Sequence, residues 1–110
     1  HMENTPTAIF LNDDDMASRT YSALRRLGLV PGKDIAVIGF GDQPISTQLE
    51  VPLTTVKQDL NALGKRAGEM LIQKIRNPLC KLEKVVLPAP LIVRKSCCPP
   101  TKIAQLANAE

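Results

Sequence analysis

Aromatic side chains are scarce in this chain, which has two phenylalanines, one tyrosine and no tryptophan among its 110 residues. Proteins that bind single-stranded nucleic acid or sugar rings commonly stack them on aromatic rings. The chain alone therefore cannot build such a stacking platform. The single histidine, His1, precedes Met2 and looks like part of a cleaved expression tag. With it set aside, a catalytic triad that needs histidine and the usual histidine-containing zinc sites are excluded as well.

Cysteines and long apolar runs are also few. Cys80, Cys97 and Cys98 do not form the even, regularly spaced set of a disulfide framework, and neighbouring cysteines can bond to each other only under strain. We therefore expect reduced thiols and a cytoplasmic location. No apolar stretch approaches the roughly 20 residues of a membrane-spanning helix, and no signal peptide is recognised, so we expect no membrane partner.

The net charge of +3 comes from basic residues that are spread along the chain. A diffuse charge of this size does not indicate a nucleic-acid surface. The sequence also contains no helix-turn-helix, zinc-finger or basic-zipper pattern. We therefore expect that the chain does not bind DNA by itself.

Apolar runs and turn signals in the first half predict alternating strands and a helix. Residues 8–11 and 35–38 are continuous apolar runs, which are typical of strands buried in a parallel sheet. Between them, residues 16–27 carry apolar side chains at helical spacing and end before Gly28. The pattern predicts a βαβ unit, and hence an α/β fold with a parallel sheet.

The second half, after a looser stretch, predicts a strand, a long helix and two more strands. The strand is expected over residues 53–56, and Asp59 is a good N-terminal cap for the helix that follows. Apolar residues at spacings of three and four predict this amphipathic helix over residues 60–76. The runs 85–87 and 91–93 are separated by a proline-rich segment, so we predict strands at a sheet edge or at a crossing point.

Three consecutive aspartates, Asp13, Asp14 and Asp15, follow the first predicted strand. Ligands in open α/β sheets bind outside the carboxyl ends of the strands, so we favour a ligand role for Asp13, which lies nearest to the strand. For Asp14 and Asp15, ligand binding and helix capping both remain open. Consecutive aspartates at a helix start point in different directions, so we predict no metal site.

Gly39 and Gly41 end the second predicted strand but do not form a dinucleotide-binding fingerprint, since a third glycine and an immediately following helix are missing. We interpret Gly39 as part of a tight turn and expect no cofactor. The chain offers no usable histidine, no poised cysteine and no plausible carboxylate pair. We therefore predict no catalytic residue and no enzyme activity.

Six segments, in order and with matching spacing, resemble the last third of LacI/GalR transcription repressors. They are residues 6–10 (PTAIF), 13–17 (DDDMA), 24–31 (LRRLGLVP), 35–40 (IAVIGF), 52–56 (PLTTV) and 87–96 (LPAPLIVRKS). The resemblance implies a type I periplasmic-binding-protein-like fold, in which two α/β subdomains enclose a small effector. This chain would be only a fragment of that fold, its C-terminal part.

The resemblance also implies how the chain is divided. Residues 1–2, His-Met, look like the remnant of a cleaved expression tag, residues 3–100 would be the C-terminal part of the effector-binding and dimerisation domain, and residues 101–110 a loose tail. DNA would be bound only through a missing N-terminal helix-turn-helix domain. The helix over residues 60–76 would belong with the missing subdomain, so we expect the isolated fragment to be marginally stable, oligomeric or rearranged.

Four positions are implied to bind the effector, a sugar, a sugar acid or a purine. Asp13 stands where relatives often place an asparagine that contacts the effector, Gln58 where some relatives contact it from the crossover, and Leu60 at an apolar position lining the cleft. Gly41 departs from the family, because many members carry an aspartate there that accepts ligand hydrogen bonds. The missing carboxylate favours a sugar acid such as gluconate.

The resemblance further implies a symmetric homodimer. Ser18, Tyr21, Ser22 and Leu49 occupy the positions of its interface, although Tyr21 and Leu49 could equally be core residues. The alternative interpretation is a fragment of a periplasmic sugar-binding protein that serves transport.

Overall fold

A computed structural model describes residues 6–100 of the chain. The predictions made for residues 1–2 and 101–110 fall outside this range. Strands and helices alternate along the described chain, which confirms the α/β class. In order, they are β1 (Ala8–Phe10), α1 (Asp15–Arg26), β2 (Ala36–Gly41), α2 (Ile45–Gln48), β3 (Thr54–Lys57), α3 (Leu60–Arg76) and β4 (Leu91–Ile92).

The four strands form one sheet in the order β1-β2-β3-β4. The first three strands run parallel, with Phe10 beside Ile38 and Ile38 beside Thr54. β4 pairs antiparallel with β3, with Val56 beside Leu91. The expected parallel sheet is confirmed, and so is the position of β4 at its edge, where a proline-flanked strand loses no ladder hydrogen bond.

Helix α1 covers one side of this sheet with its apolar face. Ala17, Tyr21 and Leu24 are buried and recur at spacings of four and three, as expected for a helix with one face in the core. Gly28 follows in the left-handed region, at φ 73°, where glycine commonly ends a helix. The core of the sheet contains the buried apolar side chains Leu11, Ala17, Tyr21, Leu24, Ile35, Val37 and Leu53.

The chain divides into two compact units. The first contains the described residues up to Lys57 and those from Pro90 onward, and therefore includes the whole sheet with α1 and α2. The second, Gln58–Ala89, contains α3 and the segment after it. The chain leaves the first unit at the end of β3 and returns just before β4.

Helix α3 has the bounds that its sequence pattern predicts, and Asp59 is confirmed as its cap, because the Asp59 carboxylate accepts a hydrogen bond of 2.9 Å from the Ala62 amide. No residue of α3 is buried. Leu60, Leu71 and Ile75 are 65%, 62% and 69% exposed, as expected for an apolar face without its partner. Within residues 6–100, no helix has both the length and the apolar character to cross a membrane.

Three local predictions are wrong. Gly39 does not form a tight turn, because it pairs with Thr55 and β2 continues through it to Gly41. Residues 85–87 form no strand, because no strand of the described sheet pairs with them and Pro88 directly follows. The stretch before β3 is more ordered than expected, since it contains the short helix α2, whose Ser46 side chain is buried.

Candidate functional site

Two of the predicted ligand-binding residues lie at one edge of the sheet. Asp13 follows β1 and Gly41 ends β2, and the two strands are paired in parallel, so their carboxyl ends lie side by side. The register also places Lys57, at the end of β3, next to Gly41. This is the sheet edge at which open α/β proteins bind ligands.

Asp13 lines an open groove at this edge and also supports the start of α1. Its Oδ1 accepts a hydrogen bond of 2.7 Å from the Asp15 amide, so the carboxylate satisfies a first-turn donor of the helix. The groove is lined by Asn12, Asp13, Asp15, Met16, Arg19 and Thr20. Capping and ligand contact are therefore compatible for this side chain.

Asp14 is fully buried, and neither of the two roles left open for it describes its contacts. Its Oδ1 accepts from the Thr55 hydroxyl at 2.6 Å, and its Oδ2 accepts from the Gln43 amide at 2.8 Å. The side chain makes no capping hydrogen bond to α1. A buried carboxylate is tolerated only with such partners. Through them Asp14, which follows β1, is hydrogen-bonded both to the segment after β2 and to β3.

Residues 41–46, called the 41–46 loop, run from the last residue of β2 into α2, and Arg94 holds this segment near both ends. The Arg94 guanidinium donates to Asp42 Oδ1 at 2.7 Å and to Ser46 Oγ at 3.0 Å, and also to the Leu53 carbonyl at 2.9 Å. The Arg94 and Asp42 side chains are each only 18% exposed. Sequence reasoning assigned no role to Arg94, since nothing in the chain signals a contact 52 positions away.

Gln58 and Leu60 lie in the second unit. Gln58 lines a groove of about 250 Å³ with Asp59, Leu63 and residues 85–89. Leu60 is largely exposed and is not part of that lining. Their assignment as effector contacts stays a prediction.

The predicted dimer residues fall into two pairs. Tyr21 is buried in the core, where its hydroxyl donates to the Val51 carbonyl at 2.9 Å, and burial raises the pKa of Tyr21 to about 12. Leu49 packs against the same core. Ser18 and Ser22 are exposed on α1 and remain the predicted interface contacts.

The chemistry available at the sheet edge is hydrogen bonding. Residues 6–100 contain no group of three histidine, cysteine, aspartate or glutamate side chains that could hold a metal ion. Burial raises the pKa of the Cys98 thiol, with smaller contributions from Cys97 and Asp34, and a raised pKa leaves less of the reactive thiolate. The side chains at the edge can donate to and accept from a hydroxylated ligand.

Comparison with known proteins identifies the family. Residues 1–97 match the family described as periplasmic binding protein-like domain. The lactose operon repressor of Klebsiella pneumoniae is 38% identical over 99 residues, which cover 90% of this chain and 28% of the repressor. A LacI family transcriptional regulator from Enterococcus faecalis, solved with bound ribose, aligns at 30% identity with a TM-score of 0.76, over 86% of this chain and 36% of the regulator.

The lac repressor dimer bound to operator and an anti-inducer aligns at 36% identity with a TM-score of 0.74, over 83% of this chain and 32% of the repressor chain. The chain thus spans between 28% and 36% of the length of these three relatives. The family match, in contrast, runs through all but the last residues of the chain. The chain therefore belongs to the family of periplasmic binding protein-like domains, in its LacI/GalR branch.

Proposed function

We propose that this chain is the C-terminal part of the effector-binding and dimerisation domain of a cytoplasmic LacI-type transcription regulator. The observation that carries the proposal is the similarity to repressors of this type over 90% of this chain, within a family match over residues 1–97. The polar side chains at the carboxyl ends of the strands support it, since open α/β sheets bind ligands there. Asp13, Gly41, Gln58 and Leu60 are the proposed effector contacts. The protein acts by binding, and no bond is made or broken.

The proposed effector is a small hydroxylated molecule, a sugar, a sugar acid or a purine. The relative from Enterococcus faecalis carries ribose, which supports the sugar class. A sugar acid is favoured at Gly41, because the family's frequent carboxylate is missing there and the register places the exposed Lys57 beside it. A ligand carboxylate would be repelled less here than in relatives that carry the aspartate, and Lys57 would attract it.

Helix α3 is the proposed contact with an N-terminal subdomain that precedes this chain. Its apolar side chains are exposed along the whole helix, and an apolar stripe of this kind is normally buried against a partner. The effector would bind between the two subdomains and favour one of their arrangements, a population shift set by its differential affinity. DNA would be bound through a helix-turn-helix domain that this chain does not contain.

The proposed partner in assembly is a second copy of the chain. Ser18 and Ser22 are exposed on α1, and the similar lac repressor was solved as a dimer on operator DNA. A homodimer would set the spacing of two DNA-binding domains. A transport protein of the same fold is the weaker alternative, because the relatives reported above are transcriptional regulators.

The test compares this chain with a longer chain that includes the N-terminal subdomain. Thermal shift and calorimetric titration with ribose, gluconate and hypoxanthine should give binding to the longer chain alone. Gly41→Asp should weaken gluconate binding about tenfold relative to ribose binding, whereas Asn77→Asp, which adds a carboxylate at an exposed position just after α3, should leave this ratio unchanged. Absence of heat and of thermal shift for every ligand would contradict the proposed effector function.

A further inference from the structure

The 41–46 loop begins at Gly41, the last residue of β2, and contacts the exit of β1 through the Gln43 amide and Asp14. We propose that Asp14 is a positioning residue of the effector site: its buried carboxylate fixes this loop against the exit of β1 without contacting the ligand. The proposal rests on the proposed function, since it concerns the same site. It assigns a purpose to a fully buried charge that neither helix capping nor ligand contact accounts for.

The contacts of Asp14 reach the parts of the sheet edge that must be aligned. Its own backbone lies next to Asp13, its Oδ2 accepts from the Gln43 amide in the 41–46 loop, and its Oδ1 accepts from Thr55 on β3. One side chain therefore connects residues that follow or belong to three parallel strands. Because the carboxylate is fully buried, water cannot replace either hydrogen bond if it is lost.

Thr55 extends the same connection into the loop. Its hydroxyl donates to Asp14 at 2.6 Å and accepts from the Asp42 amide at 3.4 Å. Asp42 has φ 54°, a left-handed conformation that an L-residue adopts only when its surroundings hold it there. The Asp14–Thr55 pair therefore supports the strained residue that directly follows Gly41.

Two further features concern the Asp14 carboxylate and the loop that it contacts. A β carbon on Gly39 would lie 2.1 Å from Asp14 Oδ1, so the glycine at this position leaves room for it. Arg94 holds the same loop separately on either side of Gln43, through Asp42 and Ser46. Loss of the Asp14 contacts should therefore release the Gln43 amide between these two points and leave the fold intact.

The experiment uses the longer chain with both subdomains and compares four variants. Asp14→Asn and Thr55→Val remove an acceptor or the hydroxyl at nearly constant volume, and Thr55→Ser keeps the hydroxyl. Ser96→Ala is the matched control, because the Ser96 hydroxyl is also fully buried and its two backbone partners, the Val37 carbonyl and the Thr54 amide, lie outside the 41–46 loop. Calorimetry measures the affinity for ribose and gluconate, and amide hydrogen exchange is measured at residues 41–43 without ligand.

Asp14→Asn and Thr55→Val should weaken binding about tenfold and speed amide exchange at Gln43. Thr55→Ser should restore both, and Ser96→Ala should lower the melting temperature while leaving affinity and exchange in the loop unchanged. If affinity follows the melting temperature in all four variants, Asp14 serves stability alone and the proposal is overturned. If the longer chain without substitutions binds neither ribose nor gluconate, the proposed function fails for these ligands. Unchanged amide exchange at Gln43 in Asp14→Asn would separately overturn the positioning role.

Discussion

Replacing Gly39 by alanine adds one methyl group at the most crowded point of the sheet. The new β carbon would lie 2.1 Å from Asp14 Oδ1 and 2.6 Å from Leu53 Cδ2, whereas non-bonded heavy atoms normally stay about 3.5–4.0 Å apart. Asp14 or the backbone must therefore move by about 1 Å or more. Since the carboxylate is held at 2.6 Å and 2.8 Å, such a shift breaks at least one hydrogen bond.

The expected loss of unfolding free energy combines two effects. Overpacking costs about 1–3 kcal/mol, and a lost hydrogen bond to a charged group costs about 1.5–3 kcal/mol. We expect Gly39→Ala to destabilise the chain by about 3 kcal/mol, which at a urea slope of about 1.5 kcal/mol/M lowers the unfolding midpoint by about 2 M. Urea unfolding followed by circular dichroism measures this shift, on the longer chain with both subdomains, because the isolated fragment is expected to be only marginally stable.

Gly64→Ala is the matched control, since a β carbon at Gly64 meets no atom within 4 Å. Alanine is the better helix former, so this variant should gain about 0.5–1 kcal/mol. A Gly39→Ala midpoint lowered by less than about 0.5 M would refute the reasoning, because Asp14 could then relocate at little cost.

Three further predictions concern other contacts of the first unit. Ser96→Ala should lower the unfolding free energy by about 2 kcal/mol in urea titrations, because it leaves the Val37 carbonyl and the Thr54 amide without their hydrogen-bond partner. Burial raises the pKa of Tyr21 to about 12 in the folded state, so the contribution of the protonated Tyr21 to stability is complete below pH 10 and is lost as the pH rises towards 12. The urea midpoint should therefore fall over this window, and a smaller fall in Tyr21→Phe would confirm the cause. The Arg25–Glu50 ion pair is exposed and therefore screened by solvent, so Arg25→Ala should leave the urea midpoint nearly unchanged, and a clearly lower midpoint would contradict this expectation.

The regular elements could be predicted from the sequence where one local pattern decided the outcome. Helix α3 has the predicted bounds because its apolar spacing, the Asp59 cap and the Asn77-Pro78 stop all agree. Strands β1 and β2 could be predicted for a similar reason, since short continuous apolar runs are typical of strands in a parallel sheet. Residues 85–87 have the same apolar composition but no strand to pair with, and pairing is a property of the whole fold.

The site could be predicted only in part. The sheet edge follows from the order of strands and helices, so Asp13 and Gly41 could be placed there from the pattern. The burial of Asp14 could not, because three consecutive aspartates are equivalent in sequence and only the packing of Gly39 and Thr55 selects the one that turns inward. The role of Arg94 could not be predicted, because its carboxylate partner, Asp42, is 52 positions away in the sequence.

The pairing of β3 with β4 has a consequence for protein engineering. The Lys57 amide donates to the Pro90 carbonyl at 2.8 Å, so the chain leaves and re-enters the first unit at neighbouring points. A tight turn inserted between these two residues would convert the strands into a hairpin and omit Gln58–Ala89 altogether. The result is a smaller scaffold that keeps the sheet edge and the Asp14 contacts, sheds the exposed apolar helix, and can accept other inserts at one defined junction.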